Sequence, residues 1–361
     1  MFIFCLYFSN YSNYSNLCFF GNQSSVYYNV LCACFWISEL IIGSKNIDFP
    51  KINNRQVSNI LRFVFICTVF ILFLEIFRNN GFPTLIALDI YDVYELRSSS
   101  LFKISKYMKY ILSNSVTVIL PFLLSEFLLK KKYLKSIFVV LLQLLLYLYT
   151  GHKTILFSIP FILTTYFISK RKNLYFDFFN FICLSLSLLV LIAKKYVIFQ
   201  NFFDLICRRS LLTTAYNKFA YYKFFFNNPK IGFAGMFPRW LISIKNPYEG
   251  RFTIGQLVSA DAYNISSMNA NTGFLAEGYM RFGYIGILIN FLVLVLLFKL
   301  MDSSQKSLSY EFEIIFLIYF VFTLSDSHLI DLILFGPVGL IIFILVFYSH
   351  QFNNARMKGQ I

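Results

Sequence analysis

Long apolar runs recur along almost the whole chain, and they constrain its fold more than any other feature of the sequence. Each run approaches the roughly 20 residues that a helix needs to cross about 30 Å of hydrocarbon. The runs are continuous rather than alternating in polarity, which favours membrane-spanning helices over the strands of a barrel. Composition agrees, because hydrophobic residues make up 58% of the chain and charged residues only 14%. The sequence therefore predicts an all-α integral membrane protein.

The apolar runs predict about nine membrane-spanning helices. They lie near residues 26–43, 59–77, 108–128, 136–150, 154–169, 176–193, 282–299, 312–325 and 331–348. The chain before them begins without a basic region and continues in polar Asn-Tyr-Ser repeats. We therefore expect a shortened or atypical N-terminus rather than a signal peptide.

Short basic linkers set the predicted orientation of these helices. Linkers of this kind stay in the cytoplasm, and two of them, at 130–135 and 170–172, are separated by a pair of helices. Continuing the alternation places three further segments on the same cytoplasmic side: residues 45–55, the 299–313 linker and the C-terminal tail. The segments expected on the outer side are residues 78–106, 151–154 and 194–281.

The predicted outer segment 194–281 is strongly basic. It carries eleven Lys and Arg residues against four Asp and Glu residues. The positive-inside rule does not explain this charge, because that rule concerns short loops on the opposite side of the membrane. We therefore expect this segment to bind something anionic. Its cationic residues are Lys194, Lys195, Arg208, Arg209, Lys218, Lys223, Lys230, Arg239, Lys245, Arg251 and Arg281.

Two adjacent arginines, Arg208 and Arg209, precede a run of aromatic residues that extends to Pro229. Arginine holds phosphate oxygens through two parallel hydrogen bonds, and aromatic faces can receive sugar rings or lipid. The pair can therefore grip a pyrophosphate. Alternatively, the arginines anchor the chain to anionic head groups and the rings form an aromatic belt. Residue chemistry alone leaves both interpretations open.

Three phrases carry a resemblance to a known family. The first is Arg208-Arg209 followed by Tyr216-Asn217, Tyr221-Tyr222-Lys-Phe-Phe and Asn228-Pro229. The second runs from Asn269 to Gly286, and the third is the turn Gly151-His152-Lys153-Thr154 before an apolar run that contains Pro160. Together, and in this topology, they resemble the Wzy-type oligosaccharide repeat-unit polymerases, the O-antigen polymerases. The resemblance extends from about Tyr94 to the end of the chain.

This resemblance implies a fold and an activity. The expected fold is an all-α, GT-C-like polytopic bundle of about nine or more helices with one large periplasmic loop. Its parts would be N-terminal transmembrane helices at 1–193, the periplasmic loop at 194–281, and C-terminal transmembrane helices with a cytoplasmic tail at 282–361. The implied enzyme is a multi-pass glycosyltransferase of the bacterial inner membrane, which polymerises undecaprenyl-pyrophosphate-linked oligosaccharide repeat units at the periplasmic face.

The implied chemistry assigns roles to particular residues. A terminal hydroxyl of one lipid-linked oligosaccharide attacks the anomeric carbon of the sugar on another carrier, and polyprenyl pyrophosphate departs. Candidate bases for that hydroxyl are His152, Asp261 and His328. Candidate ligands for the pyrophosphate or the sugars are Lys153, Arg208, Arg209, Asn217, Tyr221, Tyr222, Arg239, Arg251, Asn271 and Arg281. We expect no cofactor, metal or nucleic acid, and a chain-length regulator in the same membrane is a candidate partner.

The phrase from Asn269 to Gly286 also has a purely structural interpretation. Its four glycines, at 273, 278, 283 and 286, allow close helix packing or close approach of backbone to a ligand. Asn271 and Thr272 are placed to cap a helix whose N-terminus would face a bound anion. Glu277 and Arg281 stand four residues apart, so a local ion pair competes with the role of Arg281 as a ligand.

Other functions stay open. An O-antigen ligase passes the glycan to a different lipid acceptor through related chemistry. A transporter of the polysaccharide or of its lipid-linked precursor would show charged residues inside the spans and an internal repeat, and neither is clear in the sequence. A metal-dependent glycosyltransferase would use Asp89, Asp92 and Glu95 on one helical face. We prefer a solvated helix there, because no second acidic cluster supports a metal.

Overall fold

The protein is built from helices. The structure, a computed structural model, describes residues 27, 29–34, 36–37, 55–83, 103–170, 174–193, 195–196, 200, 213–236, 244–250, 252–266, 268–304, 310–324, 327–334 and 336–348. All regular elements in these ranges are helical, which confirms the all-α prediction for this part of the chain.

The first half of the chain supplies six of the helices that we label. They are α1 (Arg55–Asn80), α2 (Lys106–Asn114), α3 (Leu120–Leu129), α4 (Tyr133–Thr150), α5 (Lys153–Ser169) and α6 (Leu174–Ala193). A π-helical turn at Ser115–Ile119 joins α2 to α3 without a break. Residues 27, 29–34 and 36–37 are helical as well.

The second half contributes seven further helices that we label. They are α7 (Thr214–Asn227), α8 (Ile254–Tyr263), α9 (Gly273–Phe282), α10 (Tyr284–Ser304), α11 (Tyr310–Leu324), α12 (Leu329–Leu334) and α13 (Pro337–Phe347). The predicted periplasmic loop therefore contains α7, α8 and α9. The last predicted span, 331–348, is two helices instead of one. Pro337 starts α13 because proline has no N–H to continue a helix but is favoured at a helix start.

Length and apolar composition identify a membrane protein. Among the described residues, three helices are long and apolar enough to cross a bilayer, at Gln56–Asn80, Lys106–Leu129 and Tyr133–Thr150. Shorter apolar helices lie at Ser158–Ser169, Cys183–Ile192 and Tyr284–Leu300. Large apolar side chains such as Phe63, Phe70 and Phe138 are exposed on α1 and α4, as expected for faces in contact with lipid. The total of about nine spans stays a prediction.

The chain forms two compact units. Unit 1 consists of residues 1–45 and 213–297, and unit 2 of residues 46–212 and 298–361. In unit 1, α7 packs against α8 and α9. In unit 2, α3 packs against α4, α5 and α11, and α5 also packs against α4 and α11. Most of the predicted periplasmic loop thus belongs to the same unit as the first helical residues.

Phe122 on α3 is a centre of the core of unit 2. Its ring is fully buried, and the ring centroids of Phe65, Phe312, Phe316 and Tyr348 lie 4.7 to 5.9 Å away. Edge-to-face arrangements of this kind are favourable beyond the apolar area that they bury. The helix that carries Phe122 therefore connects α1, α11 and α13 through one aromatic cluster.

The bundle of unit 2 has two distinct ends. At one end, Arg62 near the start of α1 contacts Glu126 near the end of α3. At the other end, the Tyr149 hydroxyl donates a hydrogen bond to the Gly81 carbonyl at 2.6 Å, and the Asn80 amide donates to the Lys103 carbonyl at 2.9 Å. The start of α1 and the end of α3 therefore lie at one end of unit 2, and the ends of α1 and α4 lie at the other. This is the grouping of chain segments that the distribution of Lys and Arg predicted. Which end faces the cytoplasm stays a prediction.

Candidate functional site

Only part of the predicted site lies within the described residues. Arg208, Arg209, Arg239 and Arg251 fall outside them, as do Asp89, Asp92 and Glu95. Lys153 is the first residue of α5. The remaining candidates are distributed over both units: Asn217, Tyr221, Tyr222, Asp261, Asn271 and Arg281 in unit 1, and His152 and His328 in unit 2.

The candidate ligands on α7 are built into the interior of unit 1. Tyr221 is 1% exposed, and its hydroxyl donates a hydrogen bond to the Ala270 carbonyl at 3.0 Å. Asn217 is also buried, and its Oδ1 accepts a hydrogen bond from the Tyr263 hydroxyl at 2.6 Å. Both contacts tie α7 to segments that follow it in the chain. These two side chains therefore hold the unit together in this conformation rather than face solvent.

Tyr222 belongs to a cluster of tyrosine rings. It stacks on Tyr27 at a centroid distance of 4.5 Å and lies 4.8 Å from Tyr279. Its hydroxyl is 3.3 Å from that of Tyr284, where either oxygen can donate the hydrogen bond. The cluster joins α7, α9 and the start of α10 to the first helical residues of the chain.

Burial also fixes the protonation of these phenols. It raises the pKa of Tyr221 to about 12, and the pKa of Tyr279 to about 12. Burial, with a smaller contribution from Tyr216, likewise raises the pKa of Tyr263 to about 12. A phenol with so high a pKa stays neutral near pH 7 and can donate a hydrogen bond. Tyr221 and Tyr263 are therefore neutral phenols, and they donate the hydrogen bonds to Ala270 and Asn217.

Arg281 is occupied by contacts within unit 1. Its Nε donates to Glu277 Oε1 at 3.2 Å, so the predicted local ion pair is confirmed. Its Nη1 donates to the carbonyls of Gly232 and Ala234, at 3.2 and 3.0 Å. Glu277 is fully buried, which makes this pair costly to separate. To bind an anion, Arg281 would have to share or release contacts that fix the segment after α7.

Two of the predicted small-residue positions bring α9 and α10 into backbone contact. A Cβ atom added at Gly278 would lie 2.6 Å from the Gly286 carbonyl oxygen, and one added at Gly286 would lie 2.0 Å from the Gly278 oxygen. No side chain fits between these backbones. The prediction of close packing at these glycines is confirmed, and here the partner is a helix of the same chain.

The start of α9 differs in detail from the predicted cap. Thr272 is the residue at the N-cap position, as predicted, but its side chain makes no capping hydrogen bond, and Asn271 is exposed. A reciprocal cap forms instead at the start of α8, where the Thr253 side chain accepts from the Gln256 N–H and the Gln256 side chain accepts from the Thr253 N–H. The Thr-x-x-Gln pattern is the sequence signal for it.

Lys230 is a cationic residue whose position the sequence did not indicate. Its Nζ donates to the Phe225 carbonyl and lies 4.4 Å from the centroid of the Tyr279 ring. Burial lowers the pKa of this ammonium group. Lys223 and Lys245, in contrast, are exposed in unit 1, as are the rings of Phe226, Phe233 and Phe252. Among the described residues, these side chains form a cationic and aromatic surface on the segment 194–281.

The three candidate bases lie in different settings. Asp261 is exposed on α8. His152 is exposed at the N-cap of α5, directly after Gly151, which ends α4 in the left-handed conformation with φ 62°. The predicted turn between two helices is therefore confirmed. His328 is half-buried immediately before α12. Within the described ranges, no group of three His, Cys, Asp or Glu residues is arranged to hold a metal ion.

Glu126 is a charged residue inside a span that the sequence analysis overlooked. It is fully buried in α3, and its Oε1 lies 2.6 Å from Arg62 Nη2. Arg62 Nε donates to Oε2 at 3.0 Å, and Lys130 Nζ donates to Oε1. The expectation of no clear charge within the spans was therefore wrong, because Arg62 and Glu126 lie inside the spans predicted at 59–77 and 108–128.

Comparison with protein-family models, with curated proteins and with solved structures finds no match.

Proposed function

We propose that this membrane protein polymerises lipid-linked oligosaccharide repeat units at the outer face of a bacterial inner membrane. The observation that carries the proposal is the excess of cationic residues in the segment 194–281, which follows six predicted spans and precedes three. A surface of this kind suits the pyrophosphate that joins a glycan to its polyprenyl carrier.

The ion pair in unit 1 leaves a large positive charge on the segment 194–281. Glu277 and Arg281 neutralise each other, so ten cationic residues of the segment remain against the three carboxylates of Asp204, Glu249 and Asp261. The net positive charge is thus not consumed by internal pairing of the acidic residues. Long-range attraction toward an anionic substrate follows from such an imbalance.

The three phrases that resemble the O-antigen polymerases give the proposal its reaction. The oxygen of a terminal hydroxyl forms a bond to the anomeric carbon of the second glycan. The bond from that carbon to the pyrophosphate oxygen breaks, and the oxygen keeps the electron pair. The hydroxyl proton passes to a base, for which Asp261, His152 and His328 are the candidates. Arg208 and Arg209 stabilise the charge that develops on the departing pyrophosphate.

Burial in the structure decides which of the candidate residues we assign to substrate contact. Asn217, Tyr221 and Tyr222 are buried in unit 1, and we assign them to positioning α7 rather than to direct contact with sugar. Lys223, Lys245, Phe226 and Phe252 are exposed and better suited to meet a substrate. Arg208 and Arg209, six and five residues before α7, remain the leading candidates for the pyrophosphate.

Replacing Arg208 and Arg209 by Ala tests the phosphate-binding role. We expect surface glycan of single repeat units, with a loss of polymerising activity of about a hundredfold or more. The matched variant Arg208→Lys/Arg209→Lys keeps both charges but loses the two-bond geometry, so it should retain intermediate activity. Glycan length is read on gels from cells with equal membrane abundance of each variant. Wild-type chain lengths in the double Ala variant would remove both arginines from the site.

A transporter is the second candidate, because Arg62 and Glu126 supply the charge inside the spans that such a protein requires. Deletion of the gene separates the candidate functions. Single-repeat surface glycan indicates lost polymerisation, and long chains left on the carrier lipid indicate lost ligation. Carrier-bound repeats trapped in the cytoplasmic leaflet indicate lost transport. Either of the last two results would overturn the polymerase proposal.

A further inference from the structure

We infer that one end of unit 2 carries a binding site for the phosphate of an anionic lipid headgroup. The site consists of the turn Lys130–Lys135 between α3 and α4 together with Lys170 at the end of α5. It is independent of the proposed polymerase activity, which concerns residues 194–281. It lies at the end of unit 2 that the charge pattern predicts to be cytoplasmic.

Cationic and hydroxyl groups from separate segments converge at this site. The Lys170 Nζ donates to the Tyr166 hydroxyl at 2.9 Å and lies 4.1 Å from the centroid of that ring. Lys131 is close enough to act electrostatically on the same hydroxyl, and the Tyr133 hydroxyl lies beside it. The Tyr166 hydroxyl therefore has Lys170 and Tyr133 as direct neighbours and Lys131 within electrostatic range. Lys131, Lys132, Lys135 and Lys170 are all exposed.

The nearby carboxylate does not offset this charge. Glu126, one helical turn before Lys130, is fully buried and is bound by both Arg62 and Lys130. Because this carboxylate is bound by two other cations, it does not pair with the exposed lysines of the turn. Clusters of exposed cations at the end of a membrane helix attract anionic lipids.

The backbone conformation at Lys131 favours glycine rather than lysine. The Lys132 N–H donates to the Phe127 carbonyl at 2.9 Å, and the Lys131 N–H donates to the Leu128 carbonyl at 3.0 Å. This pair of bonds ends α3 in a Schellman motif, with Lys131 in the left-handed conformation at φ 55°. Glycine is the residue that this position favours, since a Cβ atom is strained there. The chain places a cation where glycine would fit better.

Apolar side chains beside the lysines commit the site to a lipid rather than to a soluble phosphate. Leu134 is 86% exposed and Tyr133 is 53% exposed, directly between Lys132 and Lys135. An exposed leucine among cations is unfavourable in water but suits the boundary between headgroups and acyl chains. The lysines then meet the phosphate while Leu134 contacts the upper part of an acyl chain.

Native mass spectrometry of the full-length protein in detergent tests the inference. The probes are dioleoyl phosphatidylglycerol, dioleoyl phosphatidylcholine and glycerol phosphate. We expect retention of the anionic lipid over the zwitterionic one in the wild-type protein. Lys131→Gly should weaken phosphatidylglycerol binding about fivefold without loss of thermal stability, because the charge is removed and the backbone strain is relieved. The triple variant Lys131→Gly/Lys132→Gln/Lys135→Gln should weaken it about a hundredfold.

Matched controls separate charge from conformation. Asn264 also has a positive φ, of 57°, at the end of α8, so Asn264→Gly relieves strain without removing charge and should leave lipid binding unchanged. The variant Lys131→Arg/Lys132→Arg/Lys135→Arg keeps the charge and should retain binding. Wild-type affinity in Lys131→Gly, or unchanged lipid preference in Lys131→Gly/Lys132→Gln/Lys135→Gln, would overturn the inference. Equal binding of glycerol phosphate and the whole lipid would overturn the assignment to lipid.

Discussion

The contact between Gly278 on α9 and Gly286 on α10 gives a prediction whose sign can be worked out from the structure. A glycine in a helix interior costs about 1 kcal/mol relative to alanine, so Gly278→Ala would stabilise α9 if there were space. The added Cβ atom would lie 2.6 Å from the Gly286 carbonyl oxygen and 2.9 Å from the Ile287 nitrogen, whereas ordinary contacts begin at 3.4 Å. The two backbones would have to separate, because neither neighbour is a flexible side chain.

Overpacking of this kind costs about 1–3 kcal/mol, and the separation also disturbs the buried Glu277 beside it. After the gain in helix propensity, we expect Gly278→Ala to lower the free energy of unfolding by up to about 2 kcal/mol. Gly286→Ala should cost more, because its Cβ atom would lie only 2.0 Å from the Gly278 oxygen. The double variant should cost less than the sum, since both changes separate the same backbones.

Gly339→Ala on α13 is the matched control. Its added Cβ atom would meet nothing within 4 Å, so helix propensity alone should leave the protein equally stable or raise its stability by up to about 1 kcal/mol. The assay is thermal unfolding in detergent. Its midpoint is the temperature at which half of the monodisperse peak on size exclusion is lost. If Gly278→Ala melts at or above the wild-type temperature, the close approach of α9 and α10 is refuted.

Two further predictions concern buried polar contacts. Glu126→Gln should lower the free energy of unfolding by about 2–4 kcal/mol, because Arg62 and Lys130 lose their anion. A melting temperature equal to that of the wild-type protein would contradict a stabilising role. Tyr263→Phe leaves the buried Asn217 Oδ1 without its donor and should cost about 1–3 kcal/mol while chain length of the glycan stays normal at equal abundance. Altered glycan length at unchanged stability would instead favour Asn217 as a substrate ligand.

Local patterns in the sequence predicted several structural details correctly. The turn at Gly151, the ion pair of Glu277 with Arg281, and the packing role of Gly278 and Gly286 each depend on residues that are close in the chain. Spacing of one to eight residues fixes which side chains can meet in a helix or a helical hairpin, so these contacts follow from the sequence alone.

The role of the aromatic run on α7 could not be predicted in the same way. Phe and Tyr occur around much of α7, so the sequence gives no clear apolar face to distinguish buried from exposed rings. Tyr221 and Tyr222 are both buried because partners approach from different directions: Ala270 lies against one, and Tyr27 stacks on the other. Those partners are supplied by distant parts of the chain. The aromatic surface that we assigned to substrate is therefore restricted to the outward rings of unit 1.

Glu126 shows how far a charge inside a span constrains function. A carboxylate that couples transport to an ion or a proton has to exchange partners during each cycle, and breaking a buried pair costs about 3–5 kcal/mol. Glu126 is held by Arg62, 64 residues earlier, and by Lys130 on the next turn, so exchange would require two cations to withdraw together. A fixed link between the start of α1 and the end of α3 needs no such change. The geometry of this cluster therefore fits a fixed link within the bundle of unit 2 better than it fits the moving element of a transporter.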